Sequence, residues 1–341
     1  MIQIDFPNVS PYIWIDVRSP KEYEKGHIPG AYSLPLFNDK ERETVGTVYA
    51  RKGQQTAIKK GLDLIGPKMG DFLRQAESLM KQHPNKRAFM LYCARGGLRS
   101  NSMAWLFRLY GWEALVFEGG FRSFRQLLPM WLEEKPKLII VSGGTGCGKT
   151  ELLQLLKKSG RQVINLEALA NHRGSAFGKI PNAKQPTNEM LLCLLIQEVL
   201  KLDLNYPIYV ESESKKIGQC ELPDAFFSYM RNSPIVQITT SLQERVDRIL
   251  KDYGQLDPES LICAFTSIAP RMGSENANKA IEMVKNQDLS SAIALALRYY
   301  DKLYNKSNRL WKGERLGSVE YRTGAACNVL EALEAIVRSA K

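Results

Sequence analysis

The sequence has few cysteines and histidines, and their spacing forms no structural metal site. There are three histidines and six cysteines, with no C-x-x-C pair and no short spacing between Cys and His. The cysteines are Cys93, Cys147, Cys193, Cys220, Cys263 and Cys327. Zinc sites and disulfide frameworks both depend on repeated close spacings. The pattern argues against both, so any cysteine chemistry must come from a single thiol.

Long apolar runs are also missing from the chain. No stretch reaches the roughly 18 apolar residues of a membrane-spanning helix, and residues 1–10 show no basic segment followed by an apolar one. We therefore expect a cytoplasmic protein with no membrane partner. Because hydrophobic residues make up 44% of the chain and charged residues 24%, we also expect folded domains rather than disorder.

The chain is long enough for two domains, since its 341 residues exceed the size that one hydrophobic core usually supports. Charged residues and Pro136 interrupt the pattern just before an apolar run at 138–141, which places a boundary between residues 134 and 135. On both sides apolar runs alternate with helical segments, as in α/β domains with parallel sheets. We expect an α/β domain over residues 1–134 and a doubly wound α/β domain over residues 135–341, with a mainly helical C-terminal region.

Basic residues outnumber acidic ones along the whole chain, giving a formal charge of +11. Residues 1–136 carry 20 Lys and Arg against 14 Asp and Glu, and the remainder carries 27 against 22. A basic surface attracts polyanions such as nucleic acid, although a solvated basic surface without a partner agrees with the charge equally well.

Cys93 follows the apolar run 88–92 and precedes a loop rich in glycine and arginine, after which amphipathic spacing predicts a helix over 100–110. A strand, a loop and a helix in that order place the thiol at the carboxyl edge of a parallel sheet, where backbone N–H groups form an anion-binding nest. The nest and the arginines favour a thiolate, so Cys93 is the predicted nucleophile. The residues predicted to bind the donor anion are Arg95, Gly96, Gly97 and Arg99.

Three short motifs precede Cys93: Asp16-Val17-Arg18, Glu22-Tyr23 and Gly26-His27-Ile28-Pro29-Gly30-Ala31. Together with Cys93 they resemble the rhodanese family. The resemblance implies a rhodanese-like α/β domain whose loop cysteine carries a persulfide. It also implies that Asp16, Arg18 and His27 are scaffold residues.

The length of the loop leaves the donor anion open. Cys93 and Arg99 fit the pattern Cys-x5-Arg, which is longer than the rhodanese loop and similar to rhodanese-fold phosphatases of the cell-cycle type. A wider cradle suits phosphate, and equally selenophosphate, which has a phosphate-like shape and a transferable selenium. The alternative function is therefore a rhodanese-fold phosphatase or sulfurtransferase fused to a P-loop kinase-like domain.

A phosphate-binding motif opens the second half of the chain, between the apolar run 138–141 and a predicted helix over 151–158. Its residues match G-x-x-x-x-G-K-[ST] and are Gly143, Gly144, Thr145, Gly146, Cys147, Gly148, Lys149 and Thr150. The backbone N–H groups wrap a phosphate chain, Lys149 adds charge, and Thr150 can hold Mg²⁺. Such a P-loop holds pyrophosphate as readily as a nucleotide, so it does not establish ATP hydrolysis.

Polar residues after the later strands are accessory candidates. Glu167 follows the apolar run 163–166, and Glu211 and Glu213 follow the run 208–210. They are possible Mg²⁺ partners of Thr150, but ordinary strand-end carboxylates explain them as well, so we assign no metal ligand and no tightly bound cofactor. His172 and Arg173 begin a basic loop that could contact phosphate or serve only as structure.

Further short blocks run through both halves of the chain. They lie at residues 34–38, 41–42, 45–49, 93–100, 118–121, 165–167, 172–178, 211–214, 217–218 and 299–301. Together with the order of a rhodanese-like domain and a P-loop NTPase-like domain, they resemble the tRNA 2-selenouridine synthase family.

That resemblance implies a transferase acting on tRNA that carries 2-thiouridine at the wobble position, with selenium replacing the sulfur. Selenophosphate and geranyl diphosphate are the implied substrates, and S-geranyl-2-thiouridine is the implied intermediate. We expect the P-loop to hold the diphosphate of geranyl diphosphate, and Cys93 to take or deliver selenium. Trp112, Phe121 and Trp131 are aromatic candidates for stacking a base, although core packing is the simpler interpretation of each.

Overall fold

The computed structural model describes residues 10–172, 184–253, 258–308, 311–322 and 326–339. The first elements are β1 (Tyr12–Asp16), α1 (Pro20–Lys25), β2 (Tyr32–Ser33), α2 (Asp39–Ile65), a 3₁₀ turn (Gly66–Lys68), α3 (Met69–Gln82), β3 (Ala88–Tyr92), α4 (Leu98–Leu109), β4 (Glu113–Val116) and α5 (Gly120–Glu133). They are followed by β5 (Leu138–Ser142), α6 (Lys149–Lys158), β6 (Gln162–Ile164), α7 (Leu166–Leu169), α8 (Asn188–Val199), β7 (Ile208–Glu211), β8 (Lys216–Ile217), β9 (Cys220–Glu221) and α9 (Asp224–Asn232). The last are β10 (Ile235–Thr239), α10 (Leu242–Tyr253), α11 (Pro258–Met272), α12 (Ser274–Lys285), α13 (Leu289–Asn308), β11 (Arg315–Glu320) and α14 (Ala326–Ser339).

These elements divide into two compact units. The first, here called the thiol unit, comprises Met1–Met130 and Thr187–Leu200. The second, here called the P-loop unit, comprises Trp131–Pro186 and Lys201–Lys341. Helix α8 therefore belongs to the thiol unit, although it follows the P-loop in the sequence.

The thiol unit is built on a four-stranded parallel sheet in the order β2-β1-β3-β4. The apolar runs of β1 and β3 are buried, as expected of parallel strands covered by helices on both faces. The core around them includes Ile13, Ile15, Phe89, Leu91 and Phe107. Because parallel strands end at the same edge, Asp16 at the end of β1 pairs with Tyr92, the residue before Cys93.

Arg18 anchors the turn that follows β1. Its Nη2 atom lies 2.6 Å from the Asp16 carboxylate and donates to the Gly26 carbonyl at 2.6 Å. The His27 ring stacks on that of Tyr23, with centroids 3.8 Å apart. These contacts agree with the interpretation of Asp16, Arg18 and His27 as scaffold.

Helix α8 packs its N-terminal end against the end of α1. The Glu189 carboxylate lies 3.3 Å from Arg125 and 3.5 Å from Lys25, and the Thr187 hydroxyl donates to the Lys25 carbonyl. A Cβ on Gly26 would lie 2.9 Å from the backbone of Glu189. This close approach therefore requires glycine at position 26.

The 27-residue helix α2 is bent in its middle. At Gly53 the backbone turns to φ 79° and ψ 175°, a conformation that residues with side chains rarely adopt. Both ends of α2 are anchored, since Val45 and Ile65 pack on the core and Gly61 lies against the Phe37 ring. The bend separates one helical segment before Gly53 from a second one after it.

The P-loop unit is built on a five-stranded parallel sheet in the order β11-β10-β5-β7-β6. Strand β5 is central and buried along its whole length. The apolar run 163–166 is divided, because the Asn165 side chain accepts a hydrogen bond from the Ala168 N–H at 2.7 Å and caps α7. The predicted α/β fold class is confirmed in both units.

The C-terminal region is mainly helical, as expected, but it also contributes a strand. Helices α11, α12 and α13 share an apolar cluster that includes Leu261, Phe265, Ala280 and Ala292. Strand β11, which the sequence did not indicate, pairs in parallel with β10. Within the described ranges, no helix combines the length and the apolar character needed to cross a membrane.

Candidate functional site

Cys93 follows β3 directly, at the carboxyl edge of the sheet in the thiol unit, and only 4% of it is exposed. The first turn of α5 fixes the loop that begins at Cys93 through two backbone hydrogen bonds. The Phe121 N–H donates to the Cys93 carbonyl at 2.9 Å, and the Arg122 N–H donates to the Ala94 carbonyl at 3.0 Å. On the other side, the Gly97 N–H donates to the Cys93 sulfur at 3.3 Å. The loop is thus fixed through its carbonyls and presents an N–H group to the thiol.

Two glycines permit the cysteine loop and the start of α5 to meet. Gly96 has φ +64° and Gly120 has φ +59°, both in the left-handed region. A Cβ on Gly120 would lie 2.2 Å from the Cys93 carbonyl oxygen and 2.5 Å from the Gly96 nitrogen. Gly120 is therefore part of the frame of the site. It was absent from the predicted site residues, and its signal in the sequence is the adjacent pair Gly119-Gly120.

Hydrogen bonds at the sulfur favour the thiolate of Cys93. Burial alone would raise its pKa, but the Ser100 hydroxyl donates to the sulfur at 3.3 Å, and backbone N–H groups and the Arg99 charge add to this effect. The net result is a pKa below the ordinary value of cysteine. By contrast, burial raises the pKa of Cys147, and raises that of Cys193 to about 12. Of these thiols, Cys93 is the one whose surroundings suit a nucleophile.

Ser100→Ala should weaken the thiolate of Cys93. We expect its alkylation by iodoacetamide at neutral pH to slow about tenfold, because a hydrogen bond to a charged group contributes roughly 1.5–3 kcal/mol. The rate is measured by mass spectrometry of the Cys93 peptide. Ser102→Ala is the matched control, since that hydroxyl donates to the Leu98 carbonyl instead. Equal rates in Ser100→Ala and wild type would contradict the assigned role of Ser100.

The two predicted loop arginines have different surroundings. Arg99 Nη1 donates to Glu22 Oε2 at 2.8 Å, and Arg42 Nε lies 3.7 Å from the same oxygen. Arg95 is exposed. Arg99 is therefore held by Glu22, whereas contact of the exposed Arg95 with an incoming anion stays a prediction. In the sequence Glu22 is part of a rhodanese motif, and the structure places it beside the thiol loop.

The predicted P-loop connects β5 to α6 in the P-loop unit. Gly146 and Gly148 have φ of +78° and +85°, so the loop needs glycine at both positions. Lys149 is the first residue of α6, and its ammonium group donates to the Gly143 carbonyl at 2.6 Å. The helix begins earlier than the sequence predicted, and its N-terminal N–H groups therefore open onto the loop.

Two arginines of α10 lie against the P-loop and were not predicted as site residues. Arg245 Nε donates to the Thr145 carbonyl at 2.8 Å, and its Nη atoms pair with Asp301 at 2.6 and 2.9 Å. The Arg248 guanidinium lies 4.4 Å from the centroid of the Tyr321 ring. Spacing of three residues on a helix puts both arginines on one face. That spacing is a sequence signal, but only the fold shows that this face meets a phosphate loop.

Three carboxylates meet beside Thr150. Oxygens of Glu167, Glu211 and Glu213 lie within 4.8 Å of one another. The Thr150 hydroxyl donates to Glu167 Oε2 at 3.2 Å, and the Glu167 N–H donates to Glu211 Oε1 at 2.8 Å. The other oxygen of Glu211 is buried and has no hydrogen-bond partner within the described residues. The cluster forms because β5, β6 and β7 are parallel neighbours and end at one edge.

Burial and repulsion from neighbouring charges raise the pKa values of Glu211 and Glu213. Burial raises the pKa of Glu211, and the charges of Glu167 and Glu213 raise it further. Burial also raises the pKa of Glu213 to about 7, although the Lys149 charge opposes the change. A hard divalent cation would relieve such repulsion, and carboxylate and hydroxyl oxygens are the ligands that it prefers. The arrangement therefore suits Mg²⁺.

The basic loop that begins at His172 is only partly described. The His172 N–H donates to the Glu167 carbonyl at 3.0 Å. The His172 ring lies so close to Gly218 that a Cβ added at position 218 would be 2.6 Å from it. The His172 ring thus packs against Gly218. Arg173 and the residues after it, to residue 178, lie outside the described residues, so phosphate contact by this loop stays a prediction.

Two family models match the chain. A model described as "Rhodanese-like domain" matches residues 4–127, and one described as "tRNA 2-selenouridine synthase AAA domain" matches residues 136–267. The first covers the loop of Cys93, and the second covers the P-loop and the three carboxylates. The predicted order of a rhodanese-like and a P-loop domain is confirmed.

Several curated relatives named "tRNA 2-selenouridine synthase" match most of the chain. The relative from Nitrosomonas europaea is 36% identical, covering 84% of this chain and 75% of its own length. The relative from Pseudomonas fluorescens is 33% identical, covering 90% of this chain and 93% of its own length. A solved N-terminal domain from Clostridium difficile 630 is 38% identical, covers 35% of this chain and 89% of its own, and has a TM-score of 0.33. The chain therefore belongs to the tRNA 2-selenouridine synthase family and is an enzyme.

Proposed function

We propose that the protein converts 2-thiouridine at the wobble position of tRNA to 2-selenouridine, with S-geranyl-2-thiouridine as the intermediate. The observation that carries the proposal is a thiol of lowered pKa in an anion-binding loop, on the same chain as a phosphate loop. The names of the relatives support the nucleoside, and the excess of basic residues supports a tRNA substrate.

The P-loop would serve the first step, which alkylates the sulfur. The 2-thiouridine sulfur attacks C1 of geranyl diphosphate, the C–O bond breaks, diphosphate leaves with the electron pair, and the N3 proton of the nucleoside passes to solvent. The negative charge on the leaving group must be bound, and the loop N–H groups with the Lys149 ammonium supply that binding. Arg245 and Arg248 donate to the Thr145 and Gly146 carbonyls and so help to fix the shape of the same loop.

Cys93 would serve the second step, which introduces selenium. Attack of the Cys93 thiolate on the phosphorus of selenophosphate breaks the P–Se bond, and selenide leaves with the electron pair. Water then releases phosphate from the cysteine. Selenide adds to C2 of the S-geranyl nucleoside, the C–S bond breaks, and geranyl thiol leaves with a proton. A thioether leaves more readily than a thione sulfur, which gives a reason to geranylate first.

We also propose that Glu167, Glu211 and Glu213 hold Mg²⁺ together with the Thr150 hydroxyl. The unpartnered Oε2 atom of Glu211 supports a cation ligand there, since a buried carboxylate oxygen otherwise lacks compensation. Bound Mg²⁺ would neutralise charge on the diphosphate. Lys149 and the loop N–H groups would still orient the diphosphate.

Glu211→Gln should weaken this cation site. We expect the dissociation constant for Mn²⁺, measured by electron paramagnetic resonance on the protein without substrates, to rise on the order of tenfold or more, as for removal of a ligand or its partner. Glu259→Gln changes the same charge on an exposed residue and is the control. Unchanged Mn²⁺ binding by Glu211→Gln would contradict the site.

The proposed function is tested by supplying the substrates in order. The protein is incubated with tRNA that carries 2-thiouridine, first with geranyl diphosphate and then with selenophosphate, and the nucleosides are analysed by mass spectrometry. We expect S-geranyl-2-thiouridine and then 2-selenouridine. Release of phosphate from small phosphate esters without any change in the tRNA would instead support a rhodanese-fold phosphatase.

A further inference from the structure

The middle of helix α2 is exposed over a continuous stretch. Residues 49–56 are all exposed, on both sides of the bend at Gly53, and 57% of Tyr49 is accessible to solvent. The anchored ends hold this stretch out from the core of the thiol unit. An exposed aromatic ring beside a helix bend is available to a partner.

The same stretch carries charge of one sign. From residue 44 to residue 62 the sequence has no acidic residue and four basic ones, Arg51, Lys52, Lys59 and Lys60, all of which are exposed. The ion pairs described on α2 lie nearer its N-terminus, at Glu41 and Arg42. Gln54 and Gln55, at the bend, add amide donors and acceptors. The middle of α2 is therefore a basic and polar surface.

A cavity of about 540 Å³ runs along the first half of α2. Its lining includes Lys21, Lys40 and Arg42, with Asp39 and Glu43. Arg42 Nε is buried and makes no hydrogen bond within the described residues. It lies 3.7 Å from Glu22 Oε2, the oxygen that accepts from Arg99 at 2.8 Å. Through Glu22, the cavity therefore adjoins the loop that carries Cys93.

We infer that the exposed middle of α2 and this cavity bind the anticodon arm of the tRNA, an inference that rests on tRNA as the substrate. Basic side chains distributed along the helix match phosphates spaced along an RNA strand. An anticodon loop offers unstacked bases, and Tyr49 is an exposed ring on which one can stack. Of the three aromatic candidates from the sequence, Phe121 and Trp131 are buried and Trp112 packs on the core of the thiol unit, so all three are unsuited to this role. Arg42 of the cavity is linked through Glu22 to Arg99 of the loop that carries Cys93, where a wobble nucleoside must arrive.

Arg51→Gln combined with Lys52→Gln tests the phosphate contacts. The probes are a tRNA transcript and its isolated anticodon stem-loop, with binding measured by filter retention over a salt series. We expect about tenfold weaker binding of both probes at physiological salt, and a slope of log affinity against log salt reduced by about 1.5. The control variant, Lys81→Gln with Arg87→Gln, makes the same charge change on exposed residues. These residues precede β3 and so lie at the edge of the sheet opposite the one that carries Cys93. This control should keep the affinity and the slope of wild type.

Equal losses of affinity in the two double variants would overturn the inference, because they would show that any loss of positive charge weakens binding, wherever it lies on the protein. Unchanged stem-loop binding by the α2 variant would overturn it as well. Tyr49→Ala should weaken stem-loop binding about tenfold, and Tyr49→Phe should not, since stacking needs the ring and not the hydroxyl. Wild-type protein that binds tRNA but forms neither modified nucleoside would contradict the proposed function and leave this binding comparison intact.

Discussion

Replacing Cys93 with alanine is expected to abolish entry of selenium into tRNA, with a fall in rate on the order of 10³-fold or more, while S-geranylation persists. The Ser100 hydroxyl donates to the Cys93 sulfur and, with backbone N–H groups and the Arg99 charge, lowers its pKa, so the variant loses a thiolate that the surrounding loop stabilises. Alkylation of the nucleoside sulfur needs no protein thiolate. The measurement is a time course of 2-selenouridine and S-geranyl-2-thiouridine by nucleoside mass spectrometry.

Two controls separate the chemistry from damage to the fold. Cys93→Ser keeps the size of the side chain, but its hydroxyl is not ionised at neutral pH, so we expect the same loss of selenium. Cys263→Ser removes an exposed thiol and should react as wild type does. Selenium entry that persists in Cys93→Ala would exclude Cys93 as the nucleophile. Loss of both products from this variant would contradict the division of steps between the two sites.

The sequence was sufficient to place Cys93 and the P-loop, because each depends on a local order of strand, loop and helix. Apolar runs set β3 and β5, and the glycines after them set the loops. The carboxyl ends of parallel strands share an edge, so the candidates Glu167, Glu211 and Glu213 could be anticipated near Thr150. Their mutual distance and the unpartnered Glu211 oxygen could not be anticipated, because both depend on the sheet order β5-β7-β6.

Other parts of the sites depend on contacts between residues far apart in the chain. Arg245 meets the carbonyl of Thr145, 100 residues earlier, and Glu22 meets Arg99 across 77 residues. Helix α8 carries a continuous apolar run, which predicts burial but does not show that the helix packs in the thiol unit beside Gly26. Periodicity identifies an element and its buried face, but it does not name the element that covers that face. Such pairings were therefore found only in the folded chain.

Lys149→Ala is expected to slow S-geranylation on the order of 10²–10³-fold, the size of effect seen when one preorganised donor to a developing negative charge is removed. The Lys149 ammonium donates to the Gly143 carbonyl at 2.6 Å, so it is held over the loop in which the diphosphate would lie. Without it, the leaving diphosphate loses a positive charge at the bond that breaks. The rate is measured as S-geranyl-2-thiouridine formed at saturating tRNA. Lys158→Ala, at the exposed far end of α6, is the matched control and should leave the rate unchanged.

Supplying tRNA that already carries the S-geranyl intermediate tests whether Lys149 acts only in the geranylation step. When tRNA that already carries S-geranyl-2-thiouridine is given to Lys149→Ala with selenophosphate, we expect 2-selenouridine to form at the wild-type rate, because Cys93 and its loop are unchanged. The same tRNA given to Cys93→Ala should stay unconverted. Failure of Lys149→Ala to use the intermediate would mean that the P-loop acts in the selenium step, as a nucleotide-binding loop would. Full recovery would instead assign the loop to the diphosphate of the geranyl donor, since only the step that releases diphosphate would then depend on Lys149.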